Sequence, residues 1–390
     1  METQTRIKSF WGLPPVLLAF FVMGFVDMVG ISTSYVKKDF GLNDTLANLL
    51  PMLVFLWFAV CSLPTGMLMK RIGRKKTVLI SILITVVAMI IPLTYYSFAS
   101  ILFAFALLGI GNTVLQVSLN PLVLDVVEKE KVTSTITLGC FIKAISSTLG
   151  PVIISVAVGG WGNWQLIFLV YAVITVLSWI WLAFAPIHES MDEKNLVGNQ
   201  IWGLFKDKEL MISFSVILLI VGFEVGLMTA VPKYLFERCQ VPLEKGGLGC
   251  SLYFLARTIG TFIGSVMLLR YSSRRFLMIN LVLGVLSFVL FMLSSNVTIL
   301  YVALFLIGFF CANVFPIIFS SAIQSEPSKA DEISALMIMG VAGGAILPMI
   351  MGAIADSSNQ FFSLFVPLFA LIYILYVSFR MKWNEIAERK

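Results

Sequence analysis

Asp27 and Glu224 each stand alone in a long stretch that has no other acid or base, and Lys143 and Arg257 do the same with positive charge. A carboxylate in apolar surroundings can take up and release a proton or hold a polar ligand. Its alternative role is structural, bonded to hydroxyls or paired with a Lys on a neighbouring helix. Proton coupling is the expectation for Asp27 and Glu224. Arg257 offers a planar two-pronged donor for a carboxylate, a phosphate or sugar hydroxyls, whereas Lys143 offers a point charge. Both are expected to bind substrate, or else to form an internal ion pair with Asp27 or Glu224. Asn112, Gln116 and Asn120 recur at i, i+4 and i+8, which puts three carboxamides on one helix face. Carboxamides donate and accept without carrying charge, so the stripe suits vicinal hydroxyls and is expected to line a binding cavity. Interhelical bonding is the alternative. Asn313, three residues before Pro316, is a further candidate contact, and Trp57, Tyr35, Phe141 and Tyr253 are candidate stacking rings.

Other chemistry is missing. His188 is the only histidine, so neither a histidine triad nor a histidine metal site can be built. The cysteines at 61, 140, 239, 250 and 311 are odd in number and form no CxxC, which indicates neither a zinc site nor a disulfide framework. No phosphate-cradling loop appears, so ATP is not expected to act directly. The expectation is a protein that is not an enzyme and needs no cofactor or metal.

The elements that position these residues are membrane helices. Of the residues 59% are hydrophobic, only 12% are charged and the mean hydropathy is +0.97, far from a soluble composition. Charge-free windows such as 45–69 hold one span each, while 77–124 and 276–325, at 48 and 50 residues, must each fold back once. Strand-like alternation is absent, which excludes a β-barrel. Splitting the windows at their turn signals predicts twelve helices: 12–36, 45–69, 77–96, 99–126, 134–158, 163–186, 209–236, 246–269, 276–294, 298–324, 331–355 and 361–382. The N-terminal run after Arg6 and Lys8 lacks a small-residue cleavage site and reads as a retained first helix. An even count places both termini on one side. The loops on that side carry 20 of the 27 Lys and Arg against 5 in the opposite loops, so they are expected in the cytoplasm. The +6 charge is therefore topological and does not point to nucleic acid. The expected partners are the bilayer, a small solute and a coupling ion, with the chain acting as a monomer.

Landmarks repeat at a nearly constant offset: Gly66 with Gly264, Arg71 with Arg270, Gly109 with Gly308 and Pro151 with Pro348. Two parallel six-helix bundles are predicted, 1–186 and 209–390, joined by a linker at 187–208. The segment Gly66-Met-Leu-Met-Lys-Arg-Ile-Gly-Arg-Lys-Lys76 resembles the helix 2–3 signature of the major facilitator superfamily, with Gly66, Arg71, Gly73 and Arg74 as the conformational loop. Lys70 stands where that family usually has an acid. The runs 115–121, 313–316 and 352–356 resemble the fucose:proton symporter branch, and 161–168 resembles the superfamily's start of helix 6. What the resemblance implies is an all-α major facilitator fold in the cell inner membrane and secondary transport by alternating access. A sugar or acidic sugar taken up with a proton is the expected traffic, and a proton-driven exporter of metabolites or drugs is the alternative. By the same resemblance, fucose-type symporters carry a helix 1 acid one turn later, at Gly30, and a Glu where this chain has Gln116. A Gln cannot titrate, so a proton would have to ride on Asp27 or Glu224.

Overall fold

The structure, a computed structural model, describes residues 10–42, 46, 49–187, 189, 203–241, 243–381 and 383. Arg6, Lys8, His188 and most of the predicted linker lie outside the described residues. Helix is the only regular element among those described. Among the described residues twelve helical passages follow in order. In the first half they are α1 (Leu13–Met23, a 3-10 stretch Gly24–Met28, then Val29–Asp39), α2 (Leu49–Ile72), α3 (Arg74–Thr94), α4 (Phe98–Val126), α5 (Val132–Trp161) and α6 (Leu166–Phe184). In the second they are α7 (Lys208–Cys239), α8 (Leu243–Met267), α9 (Ser273–Leu293), α10 (Val297–Cys311 and Val314–Ser325), α11 (Ala330–Met339, a 3-10 turn Gly340–Ala342, then Gly343–Ser357) and α12 (Gln360–Ser363 and Phe365–Arg380).

Eleven passages among the described residues are long and apolar enough to cross a bilayer, and the apolar stretch Leu13–Met28 of α1 is shorter. Large apolar side chains such as Phe103, Trp181, Leu286 and Phe369 lie on the outside, as hydrocarbon surroundings require. The chain is a multi-pass, all-α membrane protein.

Each predicted span meets a helix, but four are broken where continuous helices were expected, α1, α10, α11 and, at Leu364, α12. In α10 the break at 312–313 has a plain cause: Pro316 lacks an N–H and its ring crowds the carbonyl of Ala312, four residues earlier. In α1 and α11 the breaks begin at Gly24 and Gly340, residues that hold helix weakly.

By contact the chain divides into two units, 1–198 with 328–335, and 199–327 with 336–390. The first turns of α11 thus group with the first unit rather than with the half in which they fall in sequence. Within the first unit α4 packs on α2 and α3, and α1 on α5; within the second α10 packs on α8 and α9, and α7 on α11. The sequence repeat reappears in this packing. A Cβ on Gly109 of α4 would stand 2.9 Å from Val54 Cα on α2, and one on Gly308 of α10 would stand 2.5 Å from Tyr253 O on α8. Glycine and partner are each offset by 199 residues. Small residues let the backbones meet where a side chain would hold them apart.

Candidate functional site

In the first unit the candidate residues converge on the break in α1. Gly24 opens it, and a Cβ there would lie 2.6 Å from Lys143 O on α5, so the absence of a side chain allows α5 to press against the break. Phe25 is stacked on Tyr171 of α6, with centroids 3.7 Å apart. Asp27 is the exposed residue in an otherwise buried 3-10 turn. Ser147 Oγ on α5 lies 2.5 Å from Asp27 Oδ2 and 2.9 Å from Lys143 O. Only one hydroxyl proton is available, and these two acceptors compete for it, with Gly24 O farther off at 3.5 Å. When Asp27 is ionised, Ser147 donates to it. When Asp27 is protonated, the acid can donate to Ser147 Oγ while Ser147 donates to Lys143 O. Both protonation states are then satisfied without moving a helix. Lys143 is half-buried and takes part in none of the ion pairs among the described residues.

The amide stripe of α4 is buried rather than open: Asn112, Gln116 and Asn120 are 2%, 5% and 3% exposed. Asn112 Nδ2 donates to Met23 O at 2.8 Å, at the point where α1 leaves α-helical geometry. Gln116 Nε2 donates to Asn112 Oδ1 at 2.6 Å, and Asn120 Nδ2 donates to Gln116 O at 2.8 Å. Gln116 and Asn112 thus form a string of two amides that ends on the carbonyl beside the break, whereas Asn120 bonds only to the main chain of its own helix.

In the second unit the candidates lie on α7, α8 and α10. Arg257 Nη1 donates to Glu224 Oε1, an ion pair between α8 and α7 with the two side chains 33% and 17% exposed. Tyr253 is fully buried one turn before Arg257. Asn313 occupies the break in α10, where it is buried and donates from Nδ2 to Gly260 O on α8 at 2.9 Å. Its Oδ1 rests directly on Gly264.

The predicted conformational loop forms a tight turn in the first unit. Gly73 has φ +92°, a left-handed value that glycine adopts without strain. Arg74 donates to Asp125 at 2.9 Å and to Asp331 at 2.6 Å. Asp125 lies near the end of α4, so this pair ties the turn to α4. Lys70 pairs with the buried Glu332, Gly66 is packed against Ala335, and Arg71 points outward. Glu189, a residue outside every sequence expectation, accepts the backbone N–H groups of Arg74 and Lys75 at 2.6 and 2.8 Å. A carboxylate here caps the positive end of α3. Lys75 Nζ in turn donates to Ala183 O and Ala185 O at the end of α6.

Sequence reasoning passed over Ser147, Glu189, Asp331 and Glu332. Ser147 alone carried a signal, since it lies one helical turn after Lys143.

Comparison with known proteins covers nearly the whole chain. A glucose/galactose transporter of Brucella abortus is 26% identical over 392 residues, covering 96% of this chain and 95% of the relative. A putative glucose/galactose transporter of Helicobacter pylori is 24% identical over 389 residues, covering 93% and 94%. Among solved structures, the E. coli fucose:proton symporter superposes with a TM-score of 0.82 at 14% identity, covering 96% of this chain and all of that one. A proton:xylose symporter bound to 6-bromo-6-deoxy-D-glucose gives 0.74 at 13% identity, covering 97% and 98%. These two likenesses show the fold. The profile of the Major Facilitator Superfamily matches residues 16–248 and 214–389, and the chain belongs to that superfamily.

Proposed function

We propose that this chain is a sugar transporter that takes up a neutral hexose together with a proton by alternating access, in the cell inner membrane with both termini in the cytoplasm. The observation that carries the sugar class is the near full-length similarity to proteins named as glucose/galactose transporters. The setting of Arg257 favours a neutral over an acidic sugar. Its guanidinium already faces Glu224, so a substrate carboxylate would have to displace a carboxylate of the protein. A neutral sugar asks for no such exchange.

Asp27 is the proposed proton carrier, because its Ser147 partner serves both of its protonation states. Glu224, the other candidate, is already engaged by Arg257. Lys143, Asn120, Gln116 and Asn313 remain proposed contacts of the sugar or of the groups that set its site. Asn112 is proposed to hold the break in α1.

The test is a panel of D-glucose, D-galactose, L-fucose and D-glucuronate, scored by thermal stabilisation of the purified protein. A sugar at a hundred times its Kd stabilises by about 2.7 kcal/mol. Neutral hexoses should stabilise, and the same hexoses should accumulate in proteoliposomes under an inward proton gradient. Stabilisation by glucuronate alone would overturn the neutral-sugar proposal, and accumulation that follows sodium rather than protons would overturn the coupling.

A further inference from the structure

The proposal above leaves unused a cluster at the end of the first unit away from the Gly73 turn. There α1 ends, α3 turns into α4, and α5 turns into α6. Asp39, the last residue of α1, accepts twice on one carboxylate oxygen: from Tyr96 Oη at 2.6 Å and from Trp164 Nε1 at 2.8 Å. Tyr96 lies in the α3–α4 turn and Trp164 in the α5–α6 turn. Rings close around the bonds. Tyr35 stacks on Trp164 at 5.3 Å, and Phe40 lies against both Tyr96 and Phe98. Burial, and then the Asp39 carboxylate, push the Tyr96 phenol well above its ordinary value, so it stays a donor through the physiological range.

The second unit ties the equivalent places together with different chemistry. Tyr234 and Arg238 stand 199 residues after Tyr35 and Asp39. Tyr234 Oη donates to Met292 O at 3.0 Å, Arg238 Nε donates to Ser294 O at 3.4 Å, and Cys239 Sγ donates to Ser295 O at 3.2 Å. In one half an acid at the end of the first helix accepts from side chains. In the other half the end of the first helix donates to backbone carbonyls. Two unrelated bonding schemes at one structural position mean that the tie itself is retained while its chemistry varies.

The tie in the first unit has a consequence that the second lacks, because α1 is broken and α7 is continuous. Beyond the break, Val29–Asp39 is a short rigid rod held at its far end by Asp39 and joined at its near end to the 3-10 turn that carries Asp27. We propose that Asp39 is a positioning residue for transport: by bonding Tyr96 and Trp164 it fixes the rod and, through the rod, the setting of Asp27 against Ser147. This rests on the proposed role of Asp27. The elements packed against the turn bring Lys143 on α5 and Tyr171 on α6 as their titratable groups, and α4 brings amides.

The experiment uses the full chain in proteoliposomes and compares Asp39→Ala, Asp39→Asn, the double variant Tyr96→Phe/Trp164→Phe and Asp27→Asn. Asp39→Ala should lower maximal glucose uptake roughly tenfold, on the scale of lost charge-assisted bonds, with KM changed far less, and should move the pH midpoint of uptake. Amide hydrogen exchange over 29–39 should quicken in the same variant. Asp39→Asn keeps an acceptor oxygen and should restore most of the rate. The double variant keeps an aromatic ring at each position while removing both donors, and should reproduce the loss even if Asp39→Ala does not fold. Wild-type rate, KM and pH midpoint in folded Asp39→Ala, or in the double variant, would overturn the positioning role. The proton proposal fails separately, if Asp27→Asn still accumulates sugar on a pH gradient.

Discussion

In each unit a glycine of the first helix lets it press against the fifth. Gly24 presses on Lys143 O and Ser146 in the first unit, and Gly222 presses on Gly343 O and Leu347 in the second, at offsets of 198 to 201 residues. Beside this contact each unit sets an acid of its first helix against a different partner, Asp27 against α5 and Glu224 against α8. An acid faces a hydroxyl in one, Asp27 with Ser147, and a guanidinium in the other, Glu224 with Arg257. A hydroxyl can turn from donor to acceptor and so tolerates an acid in either protonation state. A guanidinium has only donors and favours the ionised acid. The repeat therefore supplies one scaffold and two kinds of acid: one suited to exchanging a proton, the other to fixing a charge.

The widest separation between the units should appear when each acid is neutralised. Asp27→Asn is expected to abolish accumulation of sugar against its gradient while sugar counterflow continues, measured in proteoliposomes with and without an imposed pH difference. Glu224→Gln is expected to act first on stability. If Glu224→Gln abolishes accumulation while Asp27→Asn preserves it, the assignment of the two acids is reversed.

A smaller effect sharpens the second half of the comparison. Arg257→Gln alone leaves Glu224 without its cation and should destabilise the purified protein by roughly 1–3 kcal/mol, less than a fully buried pair because both groups are partly exposed. Pairing it with Glu224→Gln should recover most of that loss in a thermal unfolding cycle. If the double variant is no better than the single, Arg257 is not a strut, and its role in holding a ligand returns to the front.

Much of the fold was legible because hydropathy is a local property. Windows free of Asp, Glu, Lys and Arg marked the helices, and the offset between Gly109 and Gly308 marked the repeat before any contact was known. The helix breaks at Gly24 and Gly340 were not, since membrane helices carry many glycines that do not break them. The candidate site was half legible. An isolated charge announces itself, so Asp27, Glu224 and Arg257 stood out, and the pairing of the last two was one of the alternatives the sequence left open. Partners that depend on the fold did not stand out. Lys70 meets Glu332 across more than 250 residues of sequence, and Ser147 is one hydroxyl among many. The amides of α4 showed their shared face but not their burial, because i, i+4 spacing says nothing of what covers that face.

The smallest expected effect concerns that stripe, and it separates its members. Asn112 bonds across to Met23 O on α1, whereas Asn120 bonds within its own helix to Gln116 O. Replacing Asn112 by Leu strands a buried carbonyl at the break and should cost about 1–3 kcal/mol. Replacing Asn120 by Leu removes a bond inside a helix whose backbone is otherwise satisfied. Its cost should be nearer the 0.6 kcal/mol or so typical of side-chain bonds in membrane helices. Thermal unfolding of the two variants, with glucose binding measured on the same samples, gives the order. Should Asn120→Leu keep its stability and lose glucose affinity tenfold, then Asn120 contacts the sugar. Should both variants bind as wild type does once corrected for the folded fraction, the stripe acts only by holding α1 at its break, and the contacts that recognise the sugar lie on other helices.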